Sequence, residues 1–315
     1  LQTTAESPPL HRVTPYWPHR GLAARARRET FVKMDCHQPT GSFKIRGIGR
    51  LCQQLQADGA PAFVCSSGGN AGYAAAYAGQ ALGVPVTVVA PSTTPEFMRQ
   101  RIASLGATVI VEGDVWDAAD ALAQAIVARG DGAYVPPFDH PLLWAGHASL
   151  MDEILDAGPA PDAVVVAVGG GGLLCGVAEG LARHGLDSVA IVAVETEGAA
   201  SLARAVEAGA PVALERIATI ASSLGARRVC DAAFAWTQRR AVVPVVVSDA
   251  DAVRACRRFA DDHMALVEPA CGAALSLAYD DHAALRPFRR VAVIACGGMV
   301  VSLEKLTAWG DQFGV

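Results

Sequence analysis

Residues 162–172, DAVVVAVGGGG, carry an unbroken apolar run straight into four glycines. A run with no polar alternation reads as a strand buried on both faces, the pattern of a parallel sheet covered by helices. The glycines end that strand and open an apolar, helix-forming stretch. The same succession recurs at PAFVCSS (61–67), VPVTVVAP (84–91), ATVIVEG (107–113), VAIVAVE (189–195) and RVAVIACGG (290–298). Strands that alternate with helical stretches predict an α/β protein with parallel sheets. Residues 71–82, AGYAAAYAGQAL, predict a helix whose small side chains let it approach a sheet closely. DAGPAPD (156–162) reads as a hinge or surface connection.

The 315 residues, 52% hydrophobic and 18% charged, suffice for one large core or two domain cores. A net charge of −5, without a dense Lys/Arg cluster, argues against nucleic acid as a partner. No apolar stretch reaches the roughly 18 residues of a membrane span, and LQTTAESPPLHRVTPYW lacks the apolar core of a secretion signal. The eight cysteines form no CxxC pair, which predicts neither a zinc knuckle nor a disulfide framework and fits a reducing, cytoplasmic setting. The histidines show no metal-ligand spacing: His140 and His147 read as one surface face of a helix, and His37 has no identifiable partner.

Only Lys33, Lys44 and Lys305 are lysine; the remaining basic residues are arginine. In PTGSFKIRG (39–47), Lys44 follows a Pro-Thr-Gly-Ser turn at the expected start of a helix, where backbone N–H groups favour an unprotonated, nucleophilic amine. CSSGGNAG (65–72) ends a strand and opens a helix, and its hydroxyls, amide and N–H groups suit a carboxylate. An ordinary capped turn explains it as well. VGGGGLLCG (168–176) suits a phosphate, because consecutive glycines cost entropy unless their N–H groups wrap an anion. A dinucleotide fingerprint is the rival there: Glu195 resembles its ribose-binding acid, but the sixth position falls on Leu174 or Cys175 instead of glycine. Cys296 ends a buried strand, the place where open α/β sheets bind ligands, although an isolated apolar cysteine is usually packing.

In order and spacing, PTGSFKIRG, SSGGNAG, GGGGLLCG and VIACGG together resemble the pyridoxal-phosphate enzymes of the tryptophan-synthase β-like fold (fold type II), and most of all the L-serine dehydratases. PLHRVTPYW near the start and VEPACGAAL (267–275) extend the resemblance over nearly the whole chain. It implies two open, twisted parallel-sheet α/β domains with the cofactor between them: a small one, 42–138, and a large one formed by 1–41 and 139–315. It implies that Lys44 binds pyridoxal 5′-phosphate covalently, that Phe43 and Ser223 flank the pyridine ring, and that Asn70 bonds the 3′ oxygen. Gly169, Gly170, Gly171, Gly172 and Leu173 would cradle the 5′-phosphate, and Cys296 would meet the ring nitrogen. Ser67, Asn70 and Ala71 would hold the substrate carboxylate. Gly169, Glu195, Ala199, Leu224 and Ala226 match a site for a monovalent cation such as K⁺, while a strand-end Glu bonded to neighbouring amides is the plainer account of Glu195.

Cys296 is the discriminating position within the resemblance, because serine racemases and biosynthetic threonine dehydratases have Ser there. The expected activity is β-elimination of L-serine to pyruvate and ammonia, with L-threonine as a further substrate; threonine dehydratase, serine racemase or another β-eliminating relative is the alternative. The chain's end soon after the CGG strand favours a catabolic enzyme over one with a regulatory domain. A homodimer is implied by the resemblance alone. Two departures stand out: Gly68 replaces a common Ala and is expected to loosen the substrate loop's floor, and Met299-Val300 follow the CGG where Ser or Asn is common. A nicotinamide-dependent oxidoreductase and a non-catalytic small-molecule binder stay open on the same scaffold.

Overall fold

The computed structural model describes residues 7–19, 21 and 28–315. The chain divides into two compact units, one of Leu1–Arg12 and Lys44–Pro137, the other of Val13–Phe43 and Phe138–Val315. Strands are β1 (Tyr16–Pro18), β2 (Glu29–Lys33), β3 (Phe63–Cys65), β4 (Val86–Ala90), β5 (Thr108–Val111), β6 (Ala133–Tyr134), β7 (Ala163–Ala167), β8 (Ala190–Thr196), β9 (Val242–Val247) and β10 (Arg290–Ile294). Helices are α1 (Lys44–Ala57), α2 (Asn70–Leu82), α3 (Glu96–Ser104), α4 (Trp116–Ala128), α5 (Pro141–Ala157), α6 (Gly172–Arg183), α7 (Ser201–Ala208), α8 (Asp231–Arg239), α9 (Asp249–His263), α10 (Pro269–Tyr279) and α11 (Leu303–Phe313).

The smaller unit holds a parallel four-stranded sheet in the order β5-β4-β3-β6. Residues 7–12 belong with it, whereas the sequence placed all of 1–41 in the larger domain. Two contacts hold this segment: the Gln53 side chain donates to the Pro8 carbonyl at 2.9 Å, and α1 has Gly49 where a Cβ would come within 3.1 Å of Leu10. Residues 1–6, 20 and 22–27 of the same expected division lie outside the described residues.

The larger unit holds a six-stranded sheet in the order β1-β2-β10-β7-β8-β9. Every pairing is parallel except β1 with β2, so the sheet ends in one antiparallel strand. Central β7 and β8 are buried at every residue, which is why β7 and the first five residues of β8 are continuously apolar. Edge strand β9 carries Pro244, which an edge tolerates because it offers no N–H. All six apolar runs in the sequence form strands, and α2 covers the expected 71–82. The DAGPAPD stretch joins α5 to β7 inside the larger unit and is a connection, not a hinge between domains. Among the described residues, no helix is long and apolar enough to cross a membrane.

His147 departs from the expected surface face. It is fully buried on α5, where Gly176 of α6 leaves room for it: a Cβ at Gly176 would fall 2.3 Å from the His147 Cβ. His140 caps α5, its Nδ1 accepting the Leu142 N–H at 3.1 Å.

A buried histidine also ties the start of the larger unit to α9 and α10. The His19 ring, 1% exposed, lies 4.8 Å from His263 and 4.6 Å from Tyr279, with no hydrogen-bond partner for either ring nitrogen among the described residues. Burial first, then His263, lowers its pKa from 6.5 to about 4 despite the Asp262 carboxylate. Between those values the unfolded chain takes up a proton that the folded chain refuses, so this contribution is complete above pH 6.5 and lost as pH falls towards 4. The ceiling is about 3 kcal/mol. Replacing His19→Phe keeps a ring in the gap without a titrating group; urea unfolding from pH 4 to 6.5 is expected to show a flatter acid limb. An unchanged pH slope refutes the role given to His19.

Candidate active site

In the larger unit, β10 runs out at Ile294 and the chain turns through Cys296-Gly297-Gly298 alongside residues 41–43. The Phe43 N–H donates to the Cys296 carbonyl at 2.9 Å, Ser42 and Gly297 form an antiparallel bridge, and the Gly298 N–H donates to the Gly41 carbonyl at 3.0 Å. Phe43 and Cys296, far apart in sequence, are thereby fixed as neighbours. The Phe43 ring rests on the His147 ring, centroids 4.8 Å apart. Cys296 is 5% exposed, with the buried Cys271 of α10 as a neighbour. Met299, one of the two departures, covers the turn: its Cε lies 3.4 Å from the Cβ position of Gly41.

After β7, the glycine loop leads into α6. Gly171, at φ +97°, is its N-cap, and no side chain caps the helix there, which leaves the first-turn N–H groups of Gly172 and Leu173 for an outside acceptor. The loop is also tightly packed by protein: a Cβ on Gly170 would lie 2.4 Å from the Phe138 ring, and one on Gly169 would lie 2.8 Å from the Ser223 carbonyl. Gly169 and Ser223 are thus brought together, as expected. The loop fits an anion, yet packing against Phe138 alone already demands glycine.

Glu195, next to last in β8, has its two carboxylate oxygens accepting N–H bonds from Leu202 at 2.7 Å and Ala203 at 2.8 Å, at the start of α7. Burial pushes its pKa up to about 7, opposed by those N–H groups. The side chain therefore makes the amide bonds of the plainer account. Of the carbonyls paired with it in the sequence reading, that of Leu224 accepts the Ala226 N–H at 2.8 Å, and Gly169 lies against Leu224. Ala199 is buried in a short 3₁₀ turn after β8.

In the smaller unit, α1 begins at Lys44, and the Lys44 amine donates to the Pro137 carbonyl. Its charge is close enough to β3 to lower the Cys65 pKa, though burial dominates and holds that thiol near 12. The loop after β3 carries Ser67 into α2, which starts at Asn70 with no side-chain cap; Asn70 and Ala71 are both buried. Asp120 anchors the loop by accepting from the Ser66 hydroxyl at 2.6 Å and from the Tyr134 hydroxyl. Sequence reasoning missed Asp120, Tyr134 and Phe138, because none sits in a recognisable motif, and it placed His147 on a surface face.

These features come with a family. The pyridoxal-phosphate dependent enzymes match residues 8–297. The chain belongs to that family. It is 45% identical over 317 residues to a human protein named L-serine dehydratase/L-threonine deaminase, covering 98% of this chain and 97% of that one. A mouse serine dehydratase-like protein is 45% identical, with 97% and 96% covered. Among solved structures, a fungal L-serine ammonia-lyase from Rhizomucor miehei superposes with a TM-score of 0.91 at 38% identity, covering 96% of this chain and 99% of that one. A maize serine racemase gives a TM-score of 0.87 at 25% identity, with 97% and 93% covered. The family makes the protein a pyridoxal phosphate-dependent enzyme with two α/β domains built on parallel sheets. That excludes the nicotinamide and non-catalytic readings.

The expected looseness at Gly68 is not found. A Cβ there would meet Thr94 Oγ1 at 2.2 Å and Cγ2 at 2.5 Å, so Thr94 occupies the space an alanine methyl needs. Gly68→Ala alone is expected to destabilise by about 1–3 kcal/mol through overpacking. Thr94→Ala in the same chain removes the two nearest atoms and is expected to recover most of the loss, read as thermal midpoints. A single variant as stable as the parent contradicts this packing.

Proposed function

We propose that the protein catalyses β-elimination of L-serine to pyruvate and ammonia, with L-threonine giving 2-oxobutanoate as a second reaction. The observation that carries the proposal is Cys296 locked by main-chain bonds beside Phe43, one residue from Lys44, in a chain 45% identical to a human L-serine dehydratase/L-threonine deaminase. Lys44 would be the residue bonded to pyridoxal 5′-phosphate, which when bound delocalises the electron pair left at the substrate Cα. Phe43 and Ser223 would flank its ring, Cys296 would face the ring nitrogen, Asn70 would bond the 3′ oxygen, and Gly169 to Gly172 with Leu173 would hold the phosphate.

In this reading, the amine of Lys44 takes the proton from the serine Cα as general base. Ser67, Asn70 and Ala71 hold the carboxylate, using the hydroxyl, the amide and the N–H groups at the start of α2. That grip orients the Cα–H towards Lys44. Glu195 with the carbonyls of Gly169, Ala199, Leu224 and Ala226 is proposed for a monovalent cation; an oxygen-only set suits a hard ion, and each carboxylate oxygen keeps lone pairs beyond its N–H bond. A cytoplasmic homodimer completes the reading. The eight cysteines, none in a disulfide, support the compartment, and the family resemblance supports the dimer.

The purified protein loaded with pyridoxal phosphate is expected to absorb near about 410–420 nm and to form pyruvate on addition of L-serine. Lys44→Ala should lose the band and at least about 10⁴-fold of kcat/KM. A kcat/KM for L-serine above that for L-threonine, without D-serine formation, supports the assignment. D-Serine as the main product moves it to a racemase, and normal turnover by Lys44→Ala defeats it.

A further inference from the structure

A serine hydroxyl, a tyrosine hydroxyl and a carboxylate meet at the end of β3, where the substrate loop of the smaller unit begins. Buried Ala119 and Ala123 of α4 pack with Val64 of β3 and Val89 of β4, and their small side chains bring the helix close to the sheet. Asp120, the next residue of α4 after Ala119, thereby reaches the strand end. Its Oδ1 accepts from the hydroxyl of fully buried Ser66 at 2.6 Å and from the Tyr134 hydroxyl, and the two hydroxyl oxygens lie 3.0 Å apart. Tyr134 stands beside Val64 in the register of β6 with β3 and packs against the same cluster. Burial, and after it the bond to Asp120, raise the Tyr134 pKa, so the phenol remains a donor.

Beyond Ser66 the loop has little slack. A Cβ on Gly68 would fall 2.2 Å from Thr94 Oγ1, and one on Gly72 would fall 1.8 Å from the Ser67 carbonyl oxygen. The Gly69 N–H donates to Ser67 Oγ at 3.4 Å, and the Gly69 carbonyl accepts the Tyr73 N–H at 3.0 Å as α2 begins. A shift of Ser66 is therefore passed to Ser67 and to the start of α2. The bond that prevents such a shift is held by a carboxylate 54 positions along the chain, and hydrogen bonds to a charged group are roughly twice as strong as neutral ones.

We propose that Asp120 is a positioning residue for the substrate carboxylate: by holding the Ser66 hydroxyl it fixes Ser67, Asn70 and Ala71 in the arrangement that grips that group. The inference rests on the carboxylate-binding role proposed above for this loop. Asp120 acts through Ser66, and Tyr134 acts by holding Asp120 in place.

The test follows the cofactor's absorbance in the loaded enzyme during titration with glycine, which carries the carboxylate, and with methylamine, which lacks it. Asp120→Ala is expected to weaken glycine about tenfold, the order set by one lost hydrogen bond to a charged group, and to leave methylamine within about twofold of the parent. KM for L-serine should rise by the same factor with kcat nearly unchanged. Asp120→Asn keeps an oxygen for both hydroxyls without the charge and should fall between parent and Asp120→Ala. Adding Ser66→Ala to Asp120→Ala should cost no more than the larger single effect, because both substitutions remove one bond. Equal weakening of glycine and methylamine reveals general loosening and overturns the proposal, as does a fall in kcat at constant KM. Thermal midpoints of the cofactor-free variants check folding; if Asp120→Ala does not fold, Ser66→Ala carries the same expectation. A parent that holds glycine no better than methylamine defeats the carboxylate role of the loop, and the inference falls with it. A parental preference for glycine that survives intact in Asp120→Ala defeats the inference alone.

Discussion

Two main-chain hydrogen bonds, which make the antiparallel bridge between Ser42 and Gly297, hold residues 41–43 against 296–298 and fix Phe43 there. Each such bond is worth only about 0.5–1.5 kcal/mol net, but leaving its buried donors and acceptors unpaired costs more, so the ladder resists being opened link by link. It demands small residues. A Cβ on Gly297 would come within 2.9 Å of the Ser42 Cβ, and one on Gly298 within 2.4 Å of the Leu266 carbonyl. The glycines after Cys296 therefore serve the approach of two backbones, whatever the ring-binding role of the cysteine. Met299, packed over Gly41, takes part in the same joint, which gives this departure from the usual pattern a local reason.

The buried parallel strands were legible because burial on both faces leaves no polar alternation, as in AVVVA of β7 and AIVAVET of β8. The strands that escaped notice lie at or next to sheet edges. β1 is YWP, β6 has two residues, β9 contains a proline, and β2 mixes Glu29, Thr30 and Lys33 with its apolar residues. Lys33 in β2 is buried and ion-paired with Glu153, so its charge advertised a surface that does not exist. His147 misled for the opposite reason: its spacing from His140 suggested a solvated face, whereas Gly176 on the neighbouring helix had made room for it.

At the site, the motifs located the right backbone turns but not what fills the space around them. Lys44 could be singled out because lysine is scarce, and the structure shows what each of the three lysines touches. Lys33 is held as an ammonium by Glu153, and Lys305 lies over the Trp309 ring, 5.3 Å from its centroid. Lys44 instead starts a helix whose first turn has no acidic residue, and it contacts a neutral carbonyl. The glycine loop was read for an anion, but Phe138 and Ser223 impose glycine on the same positions. One sequence feature answers two demands, and no reading of the string alone separates them. Gly68 shows the limit most plainly, because the atom that decides its meaning belongs to Thr94, which no local pattern connects to it.

The chemistry around Cys296 follows from its neighbours more than from the residue itself. Cys271 is its neighbour, burial first and then that neighbour hold Cys271 protonated, and Cys36 is pushed up to about 12 by burial and by Asp35. A strand end surrounded by protonated thiols offers a weak, neutral hydrogen bond to whatever faces it. In the proposed arrangement an aspartate in that place would hold a ring nitrogen protonated, whereas cysteine would supply only a weak hydrogen-bonding group. Within the proposed reaction, a ring facing Cys296 would be the weaker electron sink, a property that would suit elimination. On that reading the preference for elimination would reside in Cys296, just after β10, and its cysteine neighbours rather than in Lys44.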